Sequence, residues 1–254
     1  MHLTREEEDL LESDTPAVRK AMELLVQLGD IYGAEDMVEI ESAQASGISY
    51  KSIGDPGVEF LEGFAEEGAK ASVPTFANPA GMDFERWEEM GVSEEFAEKQ
   101  TRIRDALEQM DIFLSFTCTP YLAGNLPHAG QHVAWAESSA VSFVNSVVGA
   151  MTNREGGPSA LAGAITGRTP RYGLHLPENR EPTVHIEVEA DITSQADIAA
   201  LGSWAGRIVE DGKPYFSGID SASTDELKSL GAAMADTGAV ALHFVGGVTT
   251  EVAP

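Results

Sequence analysis

Cysteine is nearly absent. The 254 residues contain one, Cys118, so no intrachain disulfide can form, and cysteines within this sequence cannot by themselves hold a cluster. Basic residues are scarce too: sixteen Lys and Arg stand against 42 Asp and Glu, a formal charge of −26. Such a surface repels a phosphate backbone, which argues against a nucleic-acid partner. No stretch approaches the roughly 20 apolar residues that a membrane helix requires. The start, Met1-His2-Leu3-Thr4-Arg5-Glu6-Glu7-Glu8, has neither the basic n-region nor the apolar h-region of a secretory signal. These absences predict a cytoplasmic protein. The acid excess describes a solvated surface, and adaptation to high salt, where screening relieves self-repulsion, is its sharper reading.

What remains is a globular composition, 43% hydrophobic, long enough for one large domain or two modest ones. Thr4-Arg5-Glu6-Glu7 has the form of a capping box. Asp14-Thr15-Pro16 opens a second helix, with Val18, Met22 and Leu25 on one stripe and Gly29 as its stop. Met37 to Ile40 reads as a short strand. Asp55-Pro56-Gly57 starts another helix, and Ser93-Glu94-Glu95 caps a longer one through Met110. Ile112 to Phe116 reads as a buried strand. Thr183 to Glu189 alternates, with Val184, Ile186 and Val188 on one face. Ser194 and Ser223 each precede a helix, and Ala239 to Val245 is a buried-strand pattern ahead of a terminal loop, Gly246 to Pro254. The alternation predicts an α/β fold with helices packed on a largely parallel sheet.

Four stretches are small and polar where a core element would be apolar. In Ser46-Gly47-Ile48-Ser49-Tyr50-Lys51-Ser52-Ile53-Gly54-Asp55, hydroxyls and a lysine precede a helix start. Backbone amides there hold an anion, or the stretch is a plain strand–turn–helix connection. Pro74-Thr75-Phe76-Ala77-Asn78-Pro79-Ala80-Gly81-Met82-Asp83 is a rigid loop after a strand, either presenting ligand groups or serving as a turn. Cys118, in Thr117-Cys118-Thr119-Pro120-Tyr121, ends the apolar run from Ile112, where a thiolate could ligate iron. The longest stretch begins at Trp135-Ala136-Glu137-Ser138-Ser139 and enters a helix with Ser138, Ser142 and Asn145 on one face. It continues through Thr152-Asn153-Arg154-Glu155-Gly156-Gly157-Pro158-Ser159, Gly167-Arg168-Thr169-Pro170 and His175-Leu176-Pro177-Glu178-Asn179-Arg180. The bland reading of that helix is an interior one whose hydroxyls bond back to its own carbonyls. Arg154 beside two glycines suits a carboxylate or phosphate. His128 and His132 read as solvated loop residues.

Together these blocks, above all Ala134–Pro158 with Gly167–Arg180, resemble the signature blocks of aconitase X large subunits, and the likeness runs from Leu3 to Gly246. The form Ser46-Gly47-Ile48-Ser49-Tyr50-Lys51 is closer to the family's archaeal branch, which dehydrates mevalonate 5-phosphate, than to its bacterial hydroxyproline branch. The resemblance implies an aconitase-like catalytic domain over 1–254, the N-terminal portion of a longer large subunit. It implies an iron–sulfur cluster of the 4Fe-4S kind held by three cysteines, of which Cys118 matches the first and two lie beyond Pro254. It also implies a small subunit that carries the serine base. The open iron acts as a Lewis acid on the leaving hydroxyl, and the base takes a proton from the neighbouring carbon. The candidate substrate residues are Ser46, Ser49, Lys51, Asn78, Ser138, Ser139, Asn145, Asn153 and Arg154. The implied reaction forms trans-anhydromevalonate 5-phosphate. Dehydration of cis-3-hydroxy-L-proline, or a truncated non-catalytic relative that binds a small subunit, are the alternatives. Where the family commonly carries a histidine shortly before the position of Gly47, this chain has Gln44.

Overall fold

Short local caps set where helices begin. Thr4 accepts a hydrogen bond from the Glu7 N–H, and the Glu7 carboxylate accepts one from the Thr4 N–H at 2.8 Å. Ser223 and Glu226 repeat this reciprocal box, and Ser93 and Ser194 cap with the hydroxyl. Each satisfies donors that the first helical turn leaves open. The computed structural model describes residues 1–249, and the chain sorts into two units built from interleaved stretches. The first comprises Met1–Leu126, Ala134–Glu137 and Glu155–Tyr172; the second comprises Pro127–Val133, Ser138–Arg154 and the chain from Gly173 on.

The first unit contains α1 (Arg5–Leu11), α2 (Pro16–Tyr32), β1 (Met37–Glu39), β2 (Ala43–Ser46), α3 (Tyr50–Glu66), β3 (Thr75–Asn78), α4 (Glu94–Gln109) and β4 (Ala134–Trp135). After α5 (Ser138–Phe143) of the second unit come α6 (Gly157–Thr166) and β5 (Arg168–Pro170). Strands β3, β2 and β4 form a parallel sheet with β2 central, and β1 pairs antiparallel with β5. The core joins Met22 and Leu25 of α2, Val58 and Leu61 of α3, Ile103 and Leu107 of α4, and Leu161 and Ile165 of α6. Strand β2 reads Ala-Gln-Ala-Ser, and its small side chains let α6 lie close. A Cβ on Gly157 would sit 2.9 Å from the Ser46 carbonyl oxygen, so only glycine fits. Arg102 grips Glu62 with two bonds of 2.7 and 2.6 Å and joins α4 to α3.

The second unit holds α5 and, after two short 3₁₀ turns, β6 (Val184–Glu187), α7 (Gln195–Val209), β7 (Pro214–Ser217), α8 (Thr224–Thr237) and β8 (Phe244–Val245). Strands β6, β7 and β8 form a second parallel sheet in that order. Ile186, Phe216 and Val245 share a core with Ile198, Val209, Leu230 and Met234 of the helices. Helices α7 and α8 touch through glycine: a Cβ on Gly206 would lie 2.8 Å from the Met234 carbonyl, and one on Gly202 2.6 Å from that of Leu230.

The α/β reading holds, as two small parallel sheets rather than one. Several local expectations give way to tertiary packing. Helix α2 runs past Gly29 to a left-handed cap at Gly33, because Gly29 sits against Met1 and Pro170. A turn over Tyr50–Ile53 precedes the helix expected from Asp55, and Gly54 (φ 57°) forms the kink between them. Ile112–Phe116 forms no strand. A single bridge joins Phe113 to Phe76, and Phe113 is 67% exposed. In β6, Ile186 alone is buried, because the strand is short and Val184 faces outward. Of Ala239–Val245, Val240 and Leu242 are buried as expected, yet only Phe244–Val245 pairs as a strand. Of the expected terminal loop, Thr250–Pro254 lies outside the described residues.

Gly206→Ala should cost about 1–3 kcal/mol, the usual cost of overpacking a close helix contact. Denaturant unfolding of the native and substituted chains measures it, and an unchanged midpoint would show that α7 and α8 can separate freely.

Candidate active site

Within the first unit, three candidate residues gather at the strand ends. The Asn78 amide donates to the Ser46 hydroxyl at 3.2 Å, across the register pair that joins β3 to β2. The Asn78–Pro79 peptide that follows is cis. Ser49 is the residue before α3; it is buried, and its hydroxyl bonds that of Ser52 at 3.1 Å. Lys51, two residues on, points to solvent. A cavity of about 250 Å³ opens beside them, lined by Ser46, Gly47, Ile48, Phe60, Gly157 and Pro158.

Cys118 is exposed, not a packed core residue. Its neighbours are fixed: the Thr117 carbonyl accepts from the Gln44 amide at 3.3 Å, and the Thr117 and Thr119 hydroxyls bond each other. Gln44 is fully buried, and its oxygen accepts from the Glu137 N–H. At the position where the family carries a histidine, this chain therefore ties β2 to the cysteine loop with an amide. Among the described residues, no group of three or more His, Cys, Asp and Glu could hold a metal. Cys118 is the single thiol among these residues, and a cluster needs three or four ligands.

Glu155 was quoted in the sequence only as part of its loop. It is buried and accepts from the Ser159 hydroxyl at 2.6 Å. Burial raises its pKa, against the pull of the Ser159 and Thr169 hydroxyls. Tyr172 is raised by burial and by the Glu155 charge.

In the second unit, α5 passes into a π turn, Val144–Val148. Ser138 and Ser139 at its start are half-buried, whereas Ser142 and Asn145 are sealed. The hydroxyls of this helix serve another segment: Ser142 bonds His243 Nδ1 at 3.2 Å, and Ser146 accepts from the His243 N–H at 2.9 Å. All four hydrogen-bonding positions of the Asn145 side chain are filled. Its amide donates to the Thr152 and Ala241 carbonyls; its oxygen accepts from the Thr152 N–H and from Arg180. Asn145 is thus wholly engaged by protein groups. Asn153 is buried, with its side-chain oxygen accepting from the Leu174 N–H at 2.8 Å. Arg154 is exposed, and its guanidinium makes no ion pair among the described residues. His132, expected in a solvated loop, is half-buried, with its Nδ1 2.9 Å from Nδ1 of buried His175. Forty-three intervening residues hide that pairing from local reading.

These arrangements coincide with a known family. The aconitase X first domain matches residues 1–178, and the aconitase X second domain matches residues 182–254. The chain belongs to the aconitase X family. It is 56% identical over 252 residues to the phosphomevalonate dehydratase large subunit of Methanothermobacter thermautotrophicus, covering 99% of this chain and 63% of that protein. The corresponding protein of Methanocaldococcus jannaschii is 53% identical, with 99% and 64% covered. The cis-3-hydroxy-L-proline dehydratase of Pseudomonas aeruginosa is 36% identical, with 92% and 41% covered. A crystal structure of Thermococcus kodakaraensis aconitase X in its holo form superposes with a TM-score of 0.91 at 51% identity, covering 99% of this chain and 63% of that one. The chain spans about 63% of the length of the first of these relatives.

Burial pushes His175 down to about 3, helped by His132 and Arg180, and pushes His243 down to about 3. Both rings fold neutral and take up protons when unfolded, near pH 6.5. Their stabilisation is therefore intact above that pH and is lost as pH falls toward 3. Each should lose roughly 2 kcal/mol between pH 7 and pH 5. Melting curves at the two pH values test this, and His243→Gln should shrink the difference; an undiminished difference would place the dependence elsewhere.

Proposed function

We propose that this chain is the N-terminal portion of the large subunit of a cytoplasmic iron–sulfur hydro-lyase that removes water from mevalonate 5-phosphate to give trans-anhydromevalonate 5-phosphate. The observation that carries the reading is the gap in similarity: 56% identity to a phosphomevalonate dehydratase large subunit across 99% of the chain, against 36% to a hydroxyproline dehydratase. Two features support it. Arg154 is an exposed guanidinium with no ion pair among the described residues, in a chain of −26 formal charge, and its planar fork suits a phosphate or carboxylate. The half-buried hydroxyls of Ser138 and Ser139 and the paired Ser46 and Asn78 offer neutral donors for the rest of an oxygen-rich substrate. Lys51, exposed, and Ser49, buried, are further candidates within the first unit.

Cys118 would provide one thiolate to the cluster, and the bound cluster would supply the Lewis acid for the leaving hydroxyl. The residues of this chain bind and orient the substrate. The base that takes the neighbouring proton would come from the small-subunit partner. At high ionic strength, screening reduces the repulsion between the acidic surface and a substrate that carries both a carboxylate and a phosphate.

The complete large subunit, reconstituted anaerobically with iron, sulfide and the small subunit, should dehydrate mevalonate 5-phosphate and leave cis-3-hydroxy-L-proline unchanged. The reverse preference would overturn the assignment. In that enzyme Arg154→Lys should lower kcat/KM about 100-fold, since losing a bidentate charged contact costs about 2–3 kcal/mol, with little change in melting temperature. A large fall in Tm with native kinetics would make Arg154 structural. Residues 1–254 purified alone should remain colourless after reconstitution, because three or four ligands are needed and Cys118 is the single thiol. A brown, active product would require ligands other than those named here.

A further inference from the structure

A guanidinium sealed from solvent ordinarily faces a carboxylate. Arg180 does not. It is buried, and its donors end on four uncharged oxygens: Asn145 Oδ1 at 3.0 Å and the Leu174 carbonyl at 3.2 Å from Nη1, the Asn145 carbonyl at 3.0 Å and the Ala150 carbonyl at 3.1 Å from Nη2. Asn145 lies within the π turn and Ala150 just past the left-handed reversal at Gly149 (φ 80°) that ends it, where regular helix bonding fails to use every carbonyl. The same two contacts lead outward. Asn145 holds Thr152 by both its N–H and its carbonyl, and Leu174 donates its N–H to Asn153. The backbone of Thr152–Asn153 is thus gripped from two sides by partners that Arg180 itself fixes, and the next side chain is Arg154.

We infer that Arg180 is a positioning residue for anion recognition: acting through Asn145 and Leu174, it sets the backbone from which Arg154 presents its guanidinium. This rests on the reading of Arg154 as the anion ligand. The role requires arginine. Four acceptors are divided between two terminal nitrogens, more than the three donors of a single ammonium can meet. A buried cation without a counter-charge is costly, so each of the four bonds is needed to keep it there.

The test is Arg180→Lys in the complete enzyme with its small subunit, read by kinetics and by hydrogen exchange of the peptide containing Thr152. The Thr152 amide should exchange at least 10-fold faster, and KM for mevalonate 5-phosphate should rise at least 10-fold with kcat within a few-fold of native. Combined with Arg154→Lys, it should raise KM little beyond Arg154→Lys alone, because both act on one contact. Independent, multiplying effects, or native exchange at Thr152 beside a lowered Tm, would overturn the inference. If Arg180→Lys does not fold, Asn145→Ala decides: it removes the side-chain oxygen that accepts from Arg180 and from the Thr152 N–H, together with the donors to Thr152 and Ala241. The same rise in KM and in exchange is expected, and native values would overturn the inference. If the native enzyme fails to turn over mevalonate 5-phosphate, the functional reading falls. The inference is then judged on Thr152 exchange together with inorganic phosphate titration, which should protect this peptide in the native enzyme and not in the variant; equal protection in both would overturn it.

Discussion

Carbonyl oxygens at the π turn of Val144–Val148 must find donors in a place without water, and the second unit is organised around how they do so. Arg180 donates to the Asn145 carbonyl and the Ala150 N–H to that of Val144, and Ser142 and Ser146 bind His243 beside them. The small residues of this segment, which look out of place on a surface helix, are there because α5 lies against α8. A Cβ on Gly231 would meet the Ser142 hydroxyl at 2.7 Å. A hydrogen-bonded interior of this kind has few alternative arrangements, since any displaced group leaves an unsatisfied one behind.

What could be read from sequence divides by the range of the interaction. Caps at Thr4, Ser93, Ser194 and Ser223 are bonds spanning three residues, and each is legible in four letters. The polar face of Ser138, Ser142 and Asn145 was legible as an anomaly, but its partners His243, Ala241 and Arg180 lie 35 to 101 residues away, and no local pattern names them. The hydroxyls of Ser142 and Ser146 accordingly bond His243, a partner from outside their own helix. Ile112–Phe116 failed for the opposite reason: a run of apolar residues implies burial, yet Phe113 stacks on Phe76 at the edge of the sheet, with one face open. The candidate list from the sequence is distributed over both units, and of its members Asn145 is the one that the structure shows wholly engaged by protein.

Charge is handled differently outside and inside. The surface carries a large excess of carboxylates, while the interior avoids net charge. His175 and His243 are neutral, and the buried Glu155, with no basic residue among the causes of its shift, is pushed toward its protonated form. Buried Glu7 is paired with Arg168, whereas buried Arg180 meets uncharged oxygens, and there burial lowers the pKa to about 10. In a chain with sixteen basic residues, a guanidinium committed to uncharged oxygens is one withheld from neutralising the surface.

The path of the chain has a consequence for how this protein can be cut or recombined. It passes between the two units at 126/127, 133/134, 137/138, 154/155 and 172/173, so neither unit corresponds to a contiguous segment. The boundary between the two family domains, near residue 180, is therefore not a seam in the fold. A break there would separate α5 from α8, and Ser142, Asn145 and Ser146 from their partners Ala241 and His243. The two halves are braided rather than strung, and an exchange of one half between relatives would have to carry residues 127–133 and 138–154 with it.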